Sequence, residues 1–194
     1  MRLVKHGLLA ALLSVASGNA WAEKTEYTID PTHTMIIASW NHMGFSNPMA
    51  NFADASGKLV YDSANPAAST VRVEIPMQSL QSFVPALDNE LKGKDFFDVA
   101  QYPKAVFTSR EVKSLSGDRL EVLGHLQLRG VTRPVTLNVT LNAQGEHPVK
   151  QVPAIGFDAT GSFRRSDFGM GQFAPLVSDV VELRITVEAH ADKK

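Results

Sequence analysis

The stretch RLEVLGHLQLRGVTRPVTLNVTLN, residues 119–142, decides how the chain must fold. Its first half places Leu120, Val122, Leu126 and Leu128 at alternate positions, with Gly124 in the same row and Glu121, His125 and Gln127 opposite. Its second half repeats the pattern, Val135, Leu137, Val139 and Leu141 alternating with Thr136, Asn138 and Thr140. Successive side chains of a β-strand point to opposite faces, so a period of two makes each half a strand with one dry and one wet face. Between them RGVTRPV reads as a turn entering a strand. Gly130 there tolerates a positive φ, and Pro134 sits at the strand start, where its missing N–H does least harm.

The alternation recurs on both sides of this hairpin. Val71, Val73 and Ile75 stand against Arg72 and Glu74; Val181, Leu183, Ile185 and Val187 stand against Glu182, Arg184, Thr186 and Glu188. Weaker strands are expected at 25–29, 35–41, 52–61, 105–112 and 155–163, eight or nine in all, separated by turn chemistry such as Asp30-Pro31, Asn47-Pro48, Asn65-Pro66 and Ser116-Gly117-Asp118. Residues 85–99, PALDNELKGKDFFDV, do not alternate; Leu87, Leu91 and Phe96 suit a short amphipathic helix broken at Gly93. No repeat, linker or low-complexity tract divides the chain. So many half-wet antiparallel strands must dispose of their edges, and closing into a barrel removes them. An eight-stranded barrel is wide enough either to be filled by its own side chains or to hold one small ligand. Alternation alone leaves both readings open, and also leaves open whether the dry face points inward or out into lipid.

The N-terminus has the layout of a secretory signal peptide: Arg2, Lys5 and His6, an apolar run over 8–16, then Ala20-Trp21-Ala22. The apolar run is too short for a spanning helix, which needs about 20 residues. Cleavage after Ala22 assigns 1–22 to the signal and leaves 172 of the 194 residues as one domain, 23–194. The chain has no cysteine, which excludes an acylated lipoprotein anchor and any disulfide and is compatible with a periplasmic protein stabilised by burial. The mature chain carries 17 Lys and Arg against 20 Asp and Glu, a net charge near −3, without the basic stripe of a nucleic-acid binder. An outer-membrane barrel would show aromatic girdles, whereas the mature chain has three tyrosines, the single tryptophan Trp40 and a charged tail. No integral membrane segment is expected after signal cleavage.

Sites for chemistry are sparse. His33 and His42 would face opposite sides of a straight strand, and His125 and His147 have no paired metal-ligand spacing. Asp88, Glu90, Asp95 and Asp98 look like a solvated face near a helix N-terminus. No nucleophile elbow, phosphate loop or dinucleotide fingerprint occurs. The reading is therefore of no catalytic residue, no metal and no cofactor. Ten phenylalanines spread through the domain suit either a dense core or a surface for a long hydrocarbon.

Five stretches carry a resemblance: YTIDPTHT at 27–34, WNHMGFS at 40–46, KDFFDVAQYPKAVFTS at 94–109, GHLQLRGVTRPVTL at 124–137 and FRRSDFGMGQFAPLVSDVVEL at 163–183. In order, and over nearly the whole mature chain, they resemble the YceI-like family of lipid- or polyisoprenoid-binding proteins of the bacterial periplasm. The resemblance implies an all-β, lipocalin-like eight-stranded antiparallel β-barrel with a short helix insertion, and a long apolar channel for an isoprenoid chain, with no metal and no catalytic group. The chain departs from the family at 83–97, FVPALDNELKGKDFF, where a threonine-glycine and then an aspartate-glutamate-histidine-leucine run is usual; this bears on the channel mouth. Trp40, Phe45, Phe52, Phe96, Phe97, Phe107, Phe163, Phe168 and Met170 are expected to line or close the channel. Arg129 and Arg133, and likewise Arg164, Arg165 and Asp167 of RRSDFG, either contact a head-group phosphate or brace turns through salt bridges. The expected function is a periplasmic carrier of an isoprenoid lipid of the quinone or polyprenyl phosphate type. The rivals are an envelope stress protein that binds fatty acids or amphiphiles nonspecifically, and an enzyme on such lipids, which would need a titratable pair inside the channel. A homodimer is compatible with the family, but no interface is legible in the sequence.

Overall fold

The structure is a computed structural model and describes residues 24–192, so the signal assigned to 1–22 lies outside the described residues. In chain order the elements are β1 (Thr25–Ile29), β2 (Met35–Ser39), β3 (Met49–Phe52), β4 (Ser56–Tyr61), β5 (Thr70–Pro76), β6 (Leu80–Gln81), α1 (Pro85–Lys92), β7 (Lys104–Ser114), β8 (Arg119–Leu128), β9 (Val131–Glu146), β10 (Pro153–Arg164) and β11 (Val180–His190). Their register reduces these segments to eight long strands. β1 pairs with the end of β11 at Ala189 and His190, while β2 pairs with the same strand between Glu182 and Thr186. Both run antiparallel to β11, so β1 and β2 are one strand interrupted at 30–34. β3 with β4 and β5 with β6 are interrupted in the same way, because β4 pairs with β1 and β5 while β3 pairs with β2 and β6. Each long strand then neighbours the next in chain order, and β11 returns to the first, closing an eight-stranded up-and-down antiparallel barrel.

The interruptions correct the strand expected at 52–61. The chain leaves the ladder after Phe52, where Asp54 takes a left-handed φ of 56° and the Ser79 hydroxyl donates to the Ala53 carbonyl. The helix ends at the expected break, Gly93, and one strand boundary differs from expectation. The helix stops at Lys92, with Gly93 as its cap, so Phe96 and Phe97 lie on the turns that follow it. Pro134 is the fourth residue of β9, not its start; β10 joins β9 only from Leu137 onward, so the proline sits where the strand has β8 as its one neighbour.

The dry rows read from the sequence point inward. Val71, Val73 and Ile75, Leu120 and Val122, and Val181 to Val187 at alternate positions all face the barrel interior. Gly124 belongs to the same row. A Cβ there would stand 2.3 Å from the Phe107 ring and 2.8 Å from the Thr108 carbonyl, so the glycine is what lets Phe107 lie across the interior. Bulges at Arg110 and Asn142 shift the register by one residue and bend the long strands into closure.

Asp30 fixes the break between β1 and β2. Its carboxylate accepts from the Thr32 N–H at 2.9 Å, the Thr32 hydroxyl at 2.6 Å and the Lys150 ammonium at 2.8 Å, and faces His33 Nδ1 at 3.1 Å. It thereby ties the β1 end to the β9–β10 hairpin. The Lys150 ammonium, followed by Thr32, holds the Asp30 carboxyl well below the usual carboxylate range. A carboxyl depressed in the folded state contributes stability that is complete above its unfolded value, about 3.9, and is lost as pH falls toward the folded value. Asp30→Asn is therefore expected to cost about 1–2 kcal/mol at pH 7, with the difference from the parent shrinking below about pH 4, as urea unfolding across pH would show.

Candidate functional site

The inward rows do not meet. They enclose a cavity of about 490 Å³ whose wall is almost entirely aliphatic and aromatic, with contributions from every long strand. At the end away from α1 the floor is an edge-to-face pair, Tyr61 on β4 and Phe157 on β10, with ring centres 5.8 Å apart. Burial raises the Tyr61 phenol above the ordinary tyrosine range, so it stays neutral there. The opposite end is the mouth. Leu87 and Leu91 of α1 lie over it, Phe97 stacks edge-to-face on Phe52 at 5.6 Å, and Trp40, Met43 and Phe173 reach it from the loops at 40–48 and 169–179.

Seven of the nine apolar residues expected at the channel line this cavity: Trp40, Phe52, Phe96, Phe97, Phe107, Phe163 and Met170. Phe45 does not. It lies beyond Gly44 on the tight β2–β3 turn and points into solvent, 90% exposed. Phe168 is buried but stands behind the wall, its ring 5.4 Å from that of Phe163. The alternation identified wall positions on strands; it could not fix the direction of an aromatic in a turn.

Of the arginines expected at a head group or as turn braces, Arg129, Arg133 and Arg164 do not line the cavity. Arg129 takes a left-handed φ of 50°, and its guanidinium donates to the Gly169 carbonyl and, at 2.7 Å, to the Lys94 carbonyl. It braces two mouth segments, and does so through carbonyls instead of a salt bridge. Arg133 and Arg164 are exposed on the outer face. The arginine that reaches the cavity is Arg165, 6% exposed. Its Nε donates to the Ser178 carbonyl at 2.9 Å, Nη1 to those of Met170 and, at 2.8 Å, Gln172, and Nη2 to that of Val177 at 2.8 Å. One planar fork thus sutures the whole 169–179 loop. Burial pushes the guanidinium below the ordinary arginine range, opposed by the Asp179 carboxylate. Strand parity distinguishes it from Arg164: Phe163 points inward, Arg164 outward and Arg165 inward again.

Beside the mouth lies a polar vestibule of about 320 Å³, bounded by Asn89, Lys94, Asp95 and Gln172, which shares Glu90, Phe96 and Phe173 with the cavity. Hydrocarbon wall and polar rim therefore adjoin, as an amphiphile requires. A second polar group sits on the barrel wall at the other end, where His147, Glu188 and His190 converge beside Asp30 and His33. Glu188 Oε1 is 2.8 Å from His190 Nε2 and 3.5 Å from His147 Nε2. His147 Nδ1 accepts from the Val149 and Lys150 N–H groups, both at 3.1 Å, so its proton resides on Nε2 facing Glu188. In that tautomer the nitrogen aimed at the cluster is a donor, and the group is a clasp between β11 and the β9–β10 hairpin.

Comparison with known proteins places this architecture. The family model of the YceI-like domain matches residues 27–189. The UPF0312 protein of Yersinia pestis (strain Pestoides F) is 37% identical over 182 residues, 94% of each chain, and Protein YceI of Escherichia coli O157:H7 is 36% identical over 187 residues, 96% of this chain and 97% of its own. Among solved structures, the YCEI protein of Campylobacter jejuni superposes with a TM-score of 0.70 at 27% identity, covering 79% of this chain and 90% of its own. Burkholderia cenocepacia BcnA gives 0.75 at 23% identity, covering 82% and 98%. A polyisoprenoid binding domain from Saccharophagus degradans gives 0.60 at 16%, covering 87% and 100%; these last two likenesses are of fold.

The two adjacent arginines separate cleanly by experiment. Arg165→Met leaves four carbonyls without their donor and is expected to cost about 2–4 kcal/mol, with hydrogen exchange rising across 169–179, whereas Arg164→Met stays within about 0.5 kcal/mol of the parent.

Proposed function

The chain belongs to the YceI-like family, and from that premise we propose that it is a periplasmic carrier that holds the chain of an isoprenoid lipid inside its barrel. The observation that carries the reading is the cavity itself: about 490 Å³, within the range of small-molecule sites, walled by aliphatic and aromatic side chains and open beside a polar vestibule. A prenyl chain fits such a wall chemically. Each 100 Å² of apolar ligand surface moved there from water is worth about 2.5 kcal/mol. The Saccharophagus degradans domain of the same fold is described as binding a polyisoprenoid, which supports this ligand class. The head group, whether quinone or polyprenyl phosphate, lies in the vestibule near Asn89, Lys94 and Gln172, and not at Arg129, Arg133 or Arg164.

Binding, not catalysis, is the role proposed. The ionisable groups that border the cavity are Tyr61 at its floor, Glu90 and His42 at its mouth, and Arg165, whose N–H groups are engaged by carbonyls. Floor and mouth stand at opposite ends of the barrel, so Tyr61 and the mouth groups do not form an acid–base pair around one bond of a chain held between them. The periplasmic location rests on the leader-like residues 1–22.

Mass spectrometry of lipid extracted from protein purified without detergent from the periplasm is expected to find one stoichiometric isoprenoid. Val122→Phe, which adds a ring to the cavity wall, is expected to lose that lipid while still unfolding cooperatively. A mixture of acyl lipids in the parent would instead favour a nonspecific amphiphile binder, and an empty parent would contradict the carrier reading.

A further inference from the structure

The large apolar side chains left in solvent gather at the mouth. Phe45 is 90% exposed, Phe83 81% and Leu176 67%, with Met43, Met49 and Phe173 beside them in exposure. They come from the β2–β3 turn, the segment entering α1 and the loop after β10, three parts of the chain that converge around one opening. Two of these loops are stitched together, the Met43 N–H donating to the Leu176 carbonyl at 3.0 Å and the Ser178 N–H to that of Asn41 at 2.9 Å. Away from the mouth, Met35, Leu115 and Val149 stand singly. A cluster of this kind, rimmed by polar residues, marks a contact surface, whereas scattered exposed residues need no explanation.

The backbone gives an independent reason to regard the cluster as built. Met43, Phe83 and Phe173 have φ of 55°, 65° and 62°, the left-handed region where a bulky side chain is strained. Met43 and Gly44, with φ of 79°, are the central pair of a tight turn closed by the Phe45 N–H to His42 carbonyl bond at 3.0 Å. Two positive φ values are the mark of a type I′ turn, whose first central position strongly prefers asparagine, aspartate or glycine. At each of the three, glycine would relieve the left-handed backbone and leave less apolar surface in water. An apolar side chain is held in solvent there against both local preferences.

Met43 and Phe173 are at once exposed and part of the cavity wall, so apolar surface runs without a break from the rim into the barrel. We infer that this end docks on a phospholipid bilayer, with Met43, Phe45, Phe83 and Phe173 entering the interfacial layer so that a lipid passes between membrane and cavity without crossing water. The inference rests on the proposed lipid cargo for its purpose but not for its geometry. A bilayer suits the rim better than a protein partner does, because the surface has to match the cavity's own contents: each CH₂ carried through water would cost about 0.8 kcal/mol, a barrier that contact with hydrocarbon removes. The polar belt behind the rim carries both signs, Lys92, Lys94, Arg133 and Arg164 against Glu90, Asp95, Asp167 and Glu182, so attachment is hydrophobic and only weakly sensitive to salt.

Flotation of the folded chain with vesicles of phosphatidylethanolamine and phosphatidylglycerol, and separately of phosphatidylcholine, tests this. The parent is expected to float with both, and 0.5 M salt to change its partitioning by less than about twofold. Phe45→Ser and Phe83→Gly are each expected to weaken partitioning about tenfold. Phe83→Gly should nonetheless melt no lower than the parent, since it relieves a left-handed phenylalanine. Val122→Phe should still float, which separates docking from cargo: flotation that depends on the rim in a protein with no extractable isoprenoid sinks the cargo and keeps the dock. A parent that stays off both vesicles, rim variants that float as well as the parent, or a rim-dependent dimer by sedimentation velocity without vesicle binding would each overturn the inference.

Discussion

Closure of the strand ring is the constraint on which everything else depends. β11 must pair along one edge with both β1 and β2, because neither is long enough to seal the seam, and the turn at Asp30 sets them in line. Once the ring is closed, each inward position faces other inward positions across a fixed diameter. The side chains there, mostly valine, leucine and isoleucine, are too short to meet in the middle. The cavity is thus a consequence of strand number and residue size acting together, and closure leaves free edge only in short stretches such as the start of β9 and β6.

The two ends of the barrel differ because the chain invests in them differently. At the floor, short hairpins and a tyrosine–phenylalanine pair seal the interior. At the mouth, longer segments, α1 and an arginine that spends its donors on loop carbonyls make a shaped but open rim. Arg165 is a buried charge without a carboxylate in hydrogen-bond contact, and it is tolerated because several carbonyl dipoles converge on it. The loop it shapes carries Phe173 and Leu176, so the interior arginine sets the position of the apolar rim outside.

Most of the barrel could be read from residues 119–142 and their repeats, since parity along a strand is a local property that tertiary structure seldom overrides. Periodicity did not give the direction of the dry face, which the structure turns inward. What escaped the sequence are features with no local signal. The breaks at 53–55 and 77–79 arise where long strands must bend to stay in the ring, whereas the one at 30–34 was marked by Asp30-Pro31. Phe45 shares its residue type with the wall phenylalanines, and only the turn at Met43-Gly44 turns it outward. Arg164 and Arg165 are chemically identical; parity from Phe163 separates them, but the four loop carbonyls that Arg165 meets leave no mark in the local sequence.

The central claim is that a lipid chain occupies the barrel interior. It is tested most directly by an isotope-filtered NMR experiment on methyl-labelled protein carrying its co-purified ligand. The account predicts cross-peaks from ligand protons to methyl groups of Val122, Leu137 and Ile185, which line the cavity on three different strands. A bound ligand that gives cross-peaks to outward-facing methyl groups and none to these three would contradict it.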